Sequence, residues 1–211
     1  KIIAWGDDRD IARRRLVRAL QTTSLFGLES NREFLINVLQ KEAFAEGRAT
    51  TAFIGENYPE ESLQKAAASV EQATIGACLL YREALAQAQD LSVNTLSGLA
   101  GWSGPRELSS HFRFGDEEAS RFDVFVREVG TDDYQVTVGD SSYQIRWLAQ
   151  DDDSARLSMD DVQFTVRYAM PAKGEVTVQL RGCECNLLNE LAFTKGDESE
   201  AGSGTLVAPM H

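Results

Sequence analysis

The run "AAASVEQATIGACLLY", residues 66–81, decides how this chain is read. It has helical character, rich in alanine and free of proline. From Ile75 to Tyr81 it is apolar on almost every side. A surface helix carries one apolar stripe, and a helix apolar all round is buried all round. The run lies within a longer helical pattern over residues 60–89, which opens after Pro59 with Glu60 and Glu61 suited to a first turn. The small residues Ala66, Ala73, Gly76, Ala77 and Ala84 let neighbouring backbone come close. Something in the chain must therefore surround this helix.

The surrounding elements follow Leu108. Short segments with alternating apolar residues recur between turns. They place Leu108, Ser110, Phe112 and Phe114 on one face, then Phe122, Val124 and Val126, then Tyr134, Val136 and Val138. Tyr143, Ile145 and Trp147 come next, followed by Leu157 and Met159, and by Val162, Phe164, Val166, Tyr168 and Met170. Val176, Val178 and Leu180, then Cys183, Cys185 and Leu187, complete the series. Period-two burial marks antiparallel sheet with one buried face. About eight such strands can close into a barrel. The expected fold class is α+β: an antiparallel barrel around a long central helix, preceded by a partial α+β segment.

That leading segment, residues 1–58, reads as strand, helix, strand, helix. "KIIAWG" and "SLFGL" are its strands. Asp7 or Asp8 caps the first helix, whose Ile11, Leu16 and Ala19 or Leu20 share a side. Ser30 and Glu33 have capping-box spacing for a second helix with Phe34, Leu35, Val38 and Leu39 inward. At the other end, the acidic and Gly/Ser-rich stretch "TKGDESEAGSG" leads into "TLVAPMH", where Leu206, Val207 and Ala208 read as a first strand without a partner.

Composition limits the functions. A formal net charge of −12 argues against a nucleic-acid backbone or an anionic membrane as main partner. No apolar run approaches the roughly 20 residues needed to span a bilayer. The 3 cysteines show no disulfide framework, so a reducing cytoplasm is the expected compartment. Cys183 and Cys185 lack further thiol or imidazole ligands and read as inward thiols flanking an outward Glu184. His111 reads as an outward strand residue. The acidic run Asp151–Asp153 lacks the ligand spacing of a calcium loop and reads as a solvated turn. "AGSG" at 201–204 reads as linker. No catalytic, cofactor-binding or metal-binding residue is assigned to this chain.

The connection "DLSVNTLSGLAGWSGPRE" is different. It is longer than joining helix to strand requires, and it carries Leu91, Val93, Leu96, Leu99 and Trp102 without clear periodicity. It either packs over the barrel mouth or presents apolar anchors to a partner.

Both ends of the chain resemble one family. "KIIAWGDDRDIARRRLVRAL", "FGLESNREFL" and "AFAEGRATTAFI" look like the end of the biotin carboxylase domain in acyl-CoA carboxylase α subunits. The pattern includes Lys1, Arg9, Ala12, Ala19, Leu20, Gly27, Asn31, Phe34, Leu35, Phe44, Gly47, Thr51, Phe53 and Ile54. Ala208, Pro209 and Met210 are similar to the opening of that family's biotinyl carrier domain. The resemblance implies four parts: 1–58 from the biotin carboxylase domain, 59–194 a helix-in-barrel docking (BT) domain, 195–203 a linker, and 204–211 the first carrier strand.

It also implies a carboxyltransferase β subunit as partner, reached through Leu91, Val93, Leu96, Leu99 and Trp102. In the parent enzyme, biotin, ATP and a divalent metal serve carboxylation of an acyl-CoA, and this fragment by itself is inactive. "GLESNREFL" and "GLAGWSG" lean toward the 3-methylcrotonyl-CoA or geranyl-CoA type. The rival reading is a stand-alone barrel that binds a small apolar ligand. A third is a passive spacer between neighbours.

Overall fold

The computed structural model describes residues 1–59, 67–92, 108–115 and 121–193. Four helices come first: α1 (Arg9–Thr22), α2 (Arg32–Gln40), α3 (Glu42–Ala45) and α4 (Phe53–Asn57). Asp8 caps α1, its carboxylate accepting the Ile11 N–H at 2.7 Å, while Asp10 in the first turn pairs with Arg14 at 3.0 Å. Val17 and Leu20 of α1 meet Ile36 and Leu39 of α2 in a small core of their own.

This part departs from the sequence expectations in several places. "KIIAWG" and "SLFGL" are not strands; the second is a turn around Gly27, at φ +78°. A strand needs a neighbour for its backbone groups, and the contact recorded at Trp5 is with a side chain, its carbonyl accepting Arg15 Nη1 at 2.8 Å. The Ser30–Glu33 capping box does not form. The N-cap is Asn31, without a side-chain bond, because Glu33 is engaged by the barrel. The inward residues are Val17 and Leu20 on α1, and Arg32, Ile36 and Leu39 on α2, while Leu35 faces out.

The long helix α5 runs Val70–Leu91. It starts later than the expected 60, because Ser69 and Gln72 make a complete capping box there, with bonds of 3.1 and 2.9 Å. Residues 60–66 lie outside the described residues. Every residue from Gln72 to Leu80 is buried, so the apolar-all-round reading is correct. Gly76 is where the fit is tightest: a Cβ there would lie 2.4 Å from Leu187 Cδ1 and 3.3 Å from Val176 Cγ1. Ala84, by contrast, is exposed.

Eight strands follow: β1 (Ser110–Phe114), β2 (Phe122–Gly130), β3 (Asp133–Val138), β4 (Ser141–Gln150), β5 (Ser154–Met159), β6 (Val162–Ala169), β7 (Glu175–Leu180) and β8 (Cys183–Leu188). They form one antiparallel sheet in sequence order. The ends approach through the bridge Phe114↔Asn189 and the bond from Arg113 N–H to Asn189 Oδ1 at 3.0 Å. The barrel is thus nearly closed.

Alternation decides what fills it. Phe114, Val124, Val126, Tyr134, Val136, Ile145, Leu157, Val166, Val176, Val178 and Leu187 point inward and share one core with Ala73, Ile75, Ala77 and Leu79 of α5. The helix lies against β1, β2, β3, β7 and β8. On the remaining side, large residues such as Trp147 and Tyr168 are buried as well. The β7–β8 hairpin turns through Arg181 and Gly182, both at positive φ (51° and 88°), as a two-residue turn matched to strand twist requires.

Candidate docking site at the exit of the central helix

Hydrogen bonds give α5 a direction through the barrel. Its first turn meets the β7–β8 hairpin: Gln72 Nε2 donates to Cys183 O at 3.2 Å, and Glu71 pairs with Arg181 at 3.2 Å. Its last buried turn meets the opposite end, where the β2–β3 and β4–β5 turns lie.

There a single arginine holds the helix. Arg82 Nη1 donates to Asp132 Oδ1 at 2.6 Å and to the Tyr134 hydroxyl at 2.7 Å, and Nε donates to Gln150 Oε1 at 3.0 Å. Its guanidinium lies 4.9 Å from the Trp147 ring centre and 5.8 Å from that of Tyr134. Burial alone would lower its pKa, but Asp132 and Tyr134 outweigh that and raise it. Beside it, Tyr81 packs edge-on to Tyr134 with centroids 5.8 Å apart. Burial, and then the neighbouring Glu128 carboxylate, push the Tyr81 hydroxyl up to about 12. Gln150 continues the set to the Tyr168 hydroxyl at 2.9 Å, which donates to Asp151 O at 2.6 Å.

Beyond Arg82 the helix leaves the core. Residues 86–91 are all exposed, and at about 1.5 Å per residue the stretch from Arg82 to Leu91 extends roughly 14 Å. Leu91, the last helical residue, is 84 % exposed. Val93, Leu96, Leu99 and Trp102, the other sequence-derived anchors, lie outside the described residues, as do the linker and the 204–211 stretch.

The remaining candidates fall apart as sites. Cys185 is buried but Cys183 is exposed, so the expected pair of inward thiols is corrected: Cys183 sits at the strand's start, where the barrel wall ends. Glu184 is not simply outward either; its side chain is 13 % exposed and faces Arg32. Cys78 is fully buried and its thiol is pushed up to about 12 by that burial. His111 faces outward, half-buried on the Phe125 ring, with Nε2 2.6 Å from Asp123 Oδ1. Asp151, Asp152 and Asp153 form an exposed turn, with Asp153 paired to Arg167 at 2.6 Å. Among the described residues no group of three or more His, Cys, Asp or Glu side chains could hold a metal ion. Nor is any described helix long and apolar enough to cross a membrane.

Sequence reading missed Arg82. Its signal was present: a charge directly after a run apolar on all sides marks where a buried helix meets water. A cleft of about 400 Å³ was also not foreseen. It lies by the barrel seam, lined mainly by Phe114, Phe122, Val176, Cys185 and Leu187, with Thr177 and Asn186.

Comparison with known families matches residues 1–56 to the family described as "Biotin carboxylase C-terminal domain". The match covers α1 to α3 and all but the last residue of α4, and stops before the barrel. Comparison with curated proteins gives no match to the chain.

Proposed function

We propose that the chain is the assembly portion of an α subunit of a biotin-dependent acyl-CoA carboxylase, docking it to a carboxyltransferase β subunit. One observation carries the reading. A segment matching the biotin carboxylase C-terminal domain is followed by a barrel whose central helix exits on the far side with an exposed leucine. The helical module meets the β7–β8 end of the barrel, and α5 emerges at the other end. A partner gripping the end of α5 at Leu91 would therefore be held a barrel's length from the carboxylase module.

Under this proposal residues 1–58 belong to the carboxylase domain, 59–194 to the docking domain, 195–203 to a linker and 204–211 to the first strand of a biotinyl carrier. Biotin, ATP and a divalent metal would act in the whole enzyme and not in these residues. The 3-methylcrotonyl-CoA or geranyl-CoA type is the finer assignment, supported only by the "GLESNREFL" and "GLAGWSG" stretches.

Light scattering of the chain mixed with a carboxyltransferase β subunit tests the proposal. Complex formation is expected, weakened about 5- to 30-fold by Leu91→Asp or Trp102→Ala, the loss of about 1–2 kcal/mol typical of a central anchor. No complex with such subunits of any acyl type would sink it. The seam cleft favours a second reading, a barrel binding a small apolar ligand. Saturable uptake of a fluorescent acyl chain, lost in Val176→Trp, would support that instead.

A further inference from the structure

We infer that Arg32 is the centre of a buried polar clamp that fastens the leading helices to the barrel, making the two parts one mechanical body. Arg32 opens α2, yet it is only 3 % exposed. A buried guanidinium is tolerated only when its donors are used and its charge is paired. Here Nη1 donates to Thr23 O at 2.6 Å and lies 3.5 Å from Leu20 O, while Nε is buried without a hydrogen-bond partner, so the terminal nitrogens carry the joint. Nη2 stands 3.5 Å from Glu184 Oε2 on β8.

The barrel answers from its side. Glu184 N–H donates to Glu33 Oε1 at 2.6 Å. Gln179 of β7, 4 % exposed, donates through Nε2 to Gln21 O at 2.9 Å and to Thr23 O at 3.1 Å. Thr23 O thus accepts from both bodies at once. The Gly182 turn presses in as well, a Cβ there lying 3.2 Å from Gln21 Cγ and 3.5 Å from Ile36 Cδ1.

These carbonyls share a property. They belong to the last turn of α1 and the residue after it, where helical carbonyls lack intrahelical partners and the helix dipole is negative. No basic residue stands in that last turn. Thr23 caps Ala19 O with its own N–H and hydroxyl, and the carbonyls beyond it are taken by Arg32 of α2 and Gln179 of the barrel. Separating the two bodies would leave buried carbonyls unmatched and Glu184 without its counter-charge. The joint is polar and directional, and so it fixes an angle as well as a contact. The clamp itself does not depend on the carboxylase reading. Resting on that reading, it has a consequence: a hinge between carboxylase module and barrel does not supply the motion that carries biotin between sites.

Arg32→Ala and Glu184→Gln test the clamp in the full chain by hydrogen exchange and thiol labelling. Opening the joint should speed exchange in α1 and α2 by about tenfold or more in Arg32→Ala and less in Glu184→Gln, with β3–β5 changed by no more than about two- to threefold. Cys183 is the reporter, being exposed where Cys78 and Cys185 are buried. Burial, and then the nearby Glu33 carboxylate, hold its thiol above the ordinary value, so undocking should accelerate its labelling alone. Unchanged α1 and α2 exchange in both variants would overturn the clamp. So would an equal loss of protection through β3–β5 with all three thiols reacting, since Arg32 would then belong to one common core. Neither readout involves the partner subunit, so failure of the docking proposal leaves this test intact.

Discussion

Asp123 shows how one side chain organises a surface. On the outward face of the β1–β2 ladder Arg113 stands opposite Asp123 and His111 opposite Phe125. That register lets Asp123 take the Arg113 Nε–H at 2.9 Å and contact His111 diagonally, while His111 stacks on Phe125 with rings 4.4 Å apart. The Arg113 bond, and then the His111 bond, hold the Asp123 carboxyl below its ordinary value. A carboxylate with a depressed folded-state pKa stabilises the fold fully above its unfolded value, about 3.9. That contribution is lost as pH falls through the lower folded value. Asp123→Asn should therefore flatten the decline of stability below about pH 4 without abolishing it, since Asp10 and Asp133 are shifted the same way by Arg13 and Arg146. Urea midpoints between pH 7 and 2 check this; parallel curves for the two proteins would refute it. The sequence showed His111 and Asp123 as strand residues but not as neighbours, because their meeting depends on strand register.

At the scale of elements, α5 is two helices in one. Residues Gln72 to Leu80 are buried on every side, and residues 86–91 stand in water. The change falls at Arg82, which satisfies an acidic turn, a phenol and an amide while lying over two rings. Arg82→Ala should cost about 2–3 kcal/mol, combining lost charge-assisted bonds with lost cation–π contact. Arg82→Lys should recover little of it, for an ammonium cannot bond in a planar fork and stack at once. Thermal denaturation followed by circular dichroism distinguishes these outcomes; full recovery by lysine would show that charge alone matters. The helix was legible in sequence from its composition; its exit at Arg82 was missed, although a charge directly after the apolar run marked it. Its start was not legible either, since the local Ser69–Gln72 box competed with an equally plausible proline-led start ten residues earlier.

At the scale of the whole molecule, barrel and helix are interdependent. Strands that alternate around a core need that core filled, and a helix apolar on all sides needs walls. Ala77, fully buried at the centre, probes this. Ala77→Asp would place a carboxylate where nothing is available to pair it, at a cost of several kcal/mol, comparable to the whole stability of a domain. Near-UV and far-UV circular dichroism should then be lost together. A variant that keeps its sheet signal while losing α5 would mean that the barrel stands without the helix.

The division of labour between sequence and tertiary structure has a physical basis. Period-two burial and a helix apolar all round are local consequences of how side chains leave a backbone, and they are written residue by residue. The strands, their alternation, the buried helix and the barrel that must enclose it were determined by sequence alone. Polar contacts between distant segments are not local. Arg32 with Glu184, Gln179 with the end of α1, and Arg82 with Asp132 join residues that are far apart in the chain. Each reads alone as an ordinary surface residue. Only tertiary structure decided that "KIIAWG" would form no strand here, that Cys183 would face water while Cys185 did not, and that the leading helices would be capped by the barrel. A backbone group takes whatever partner the folded chain brings within reach.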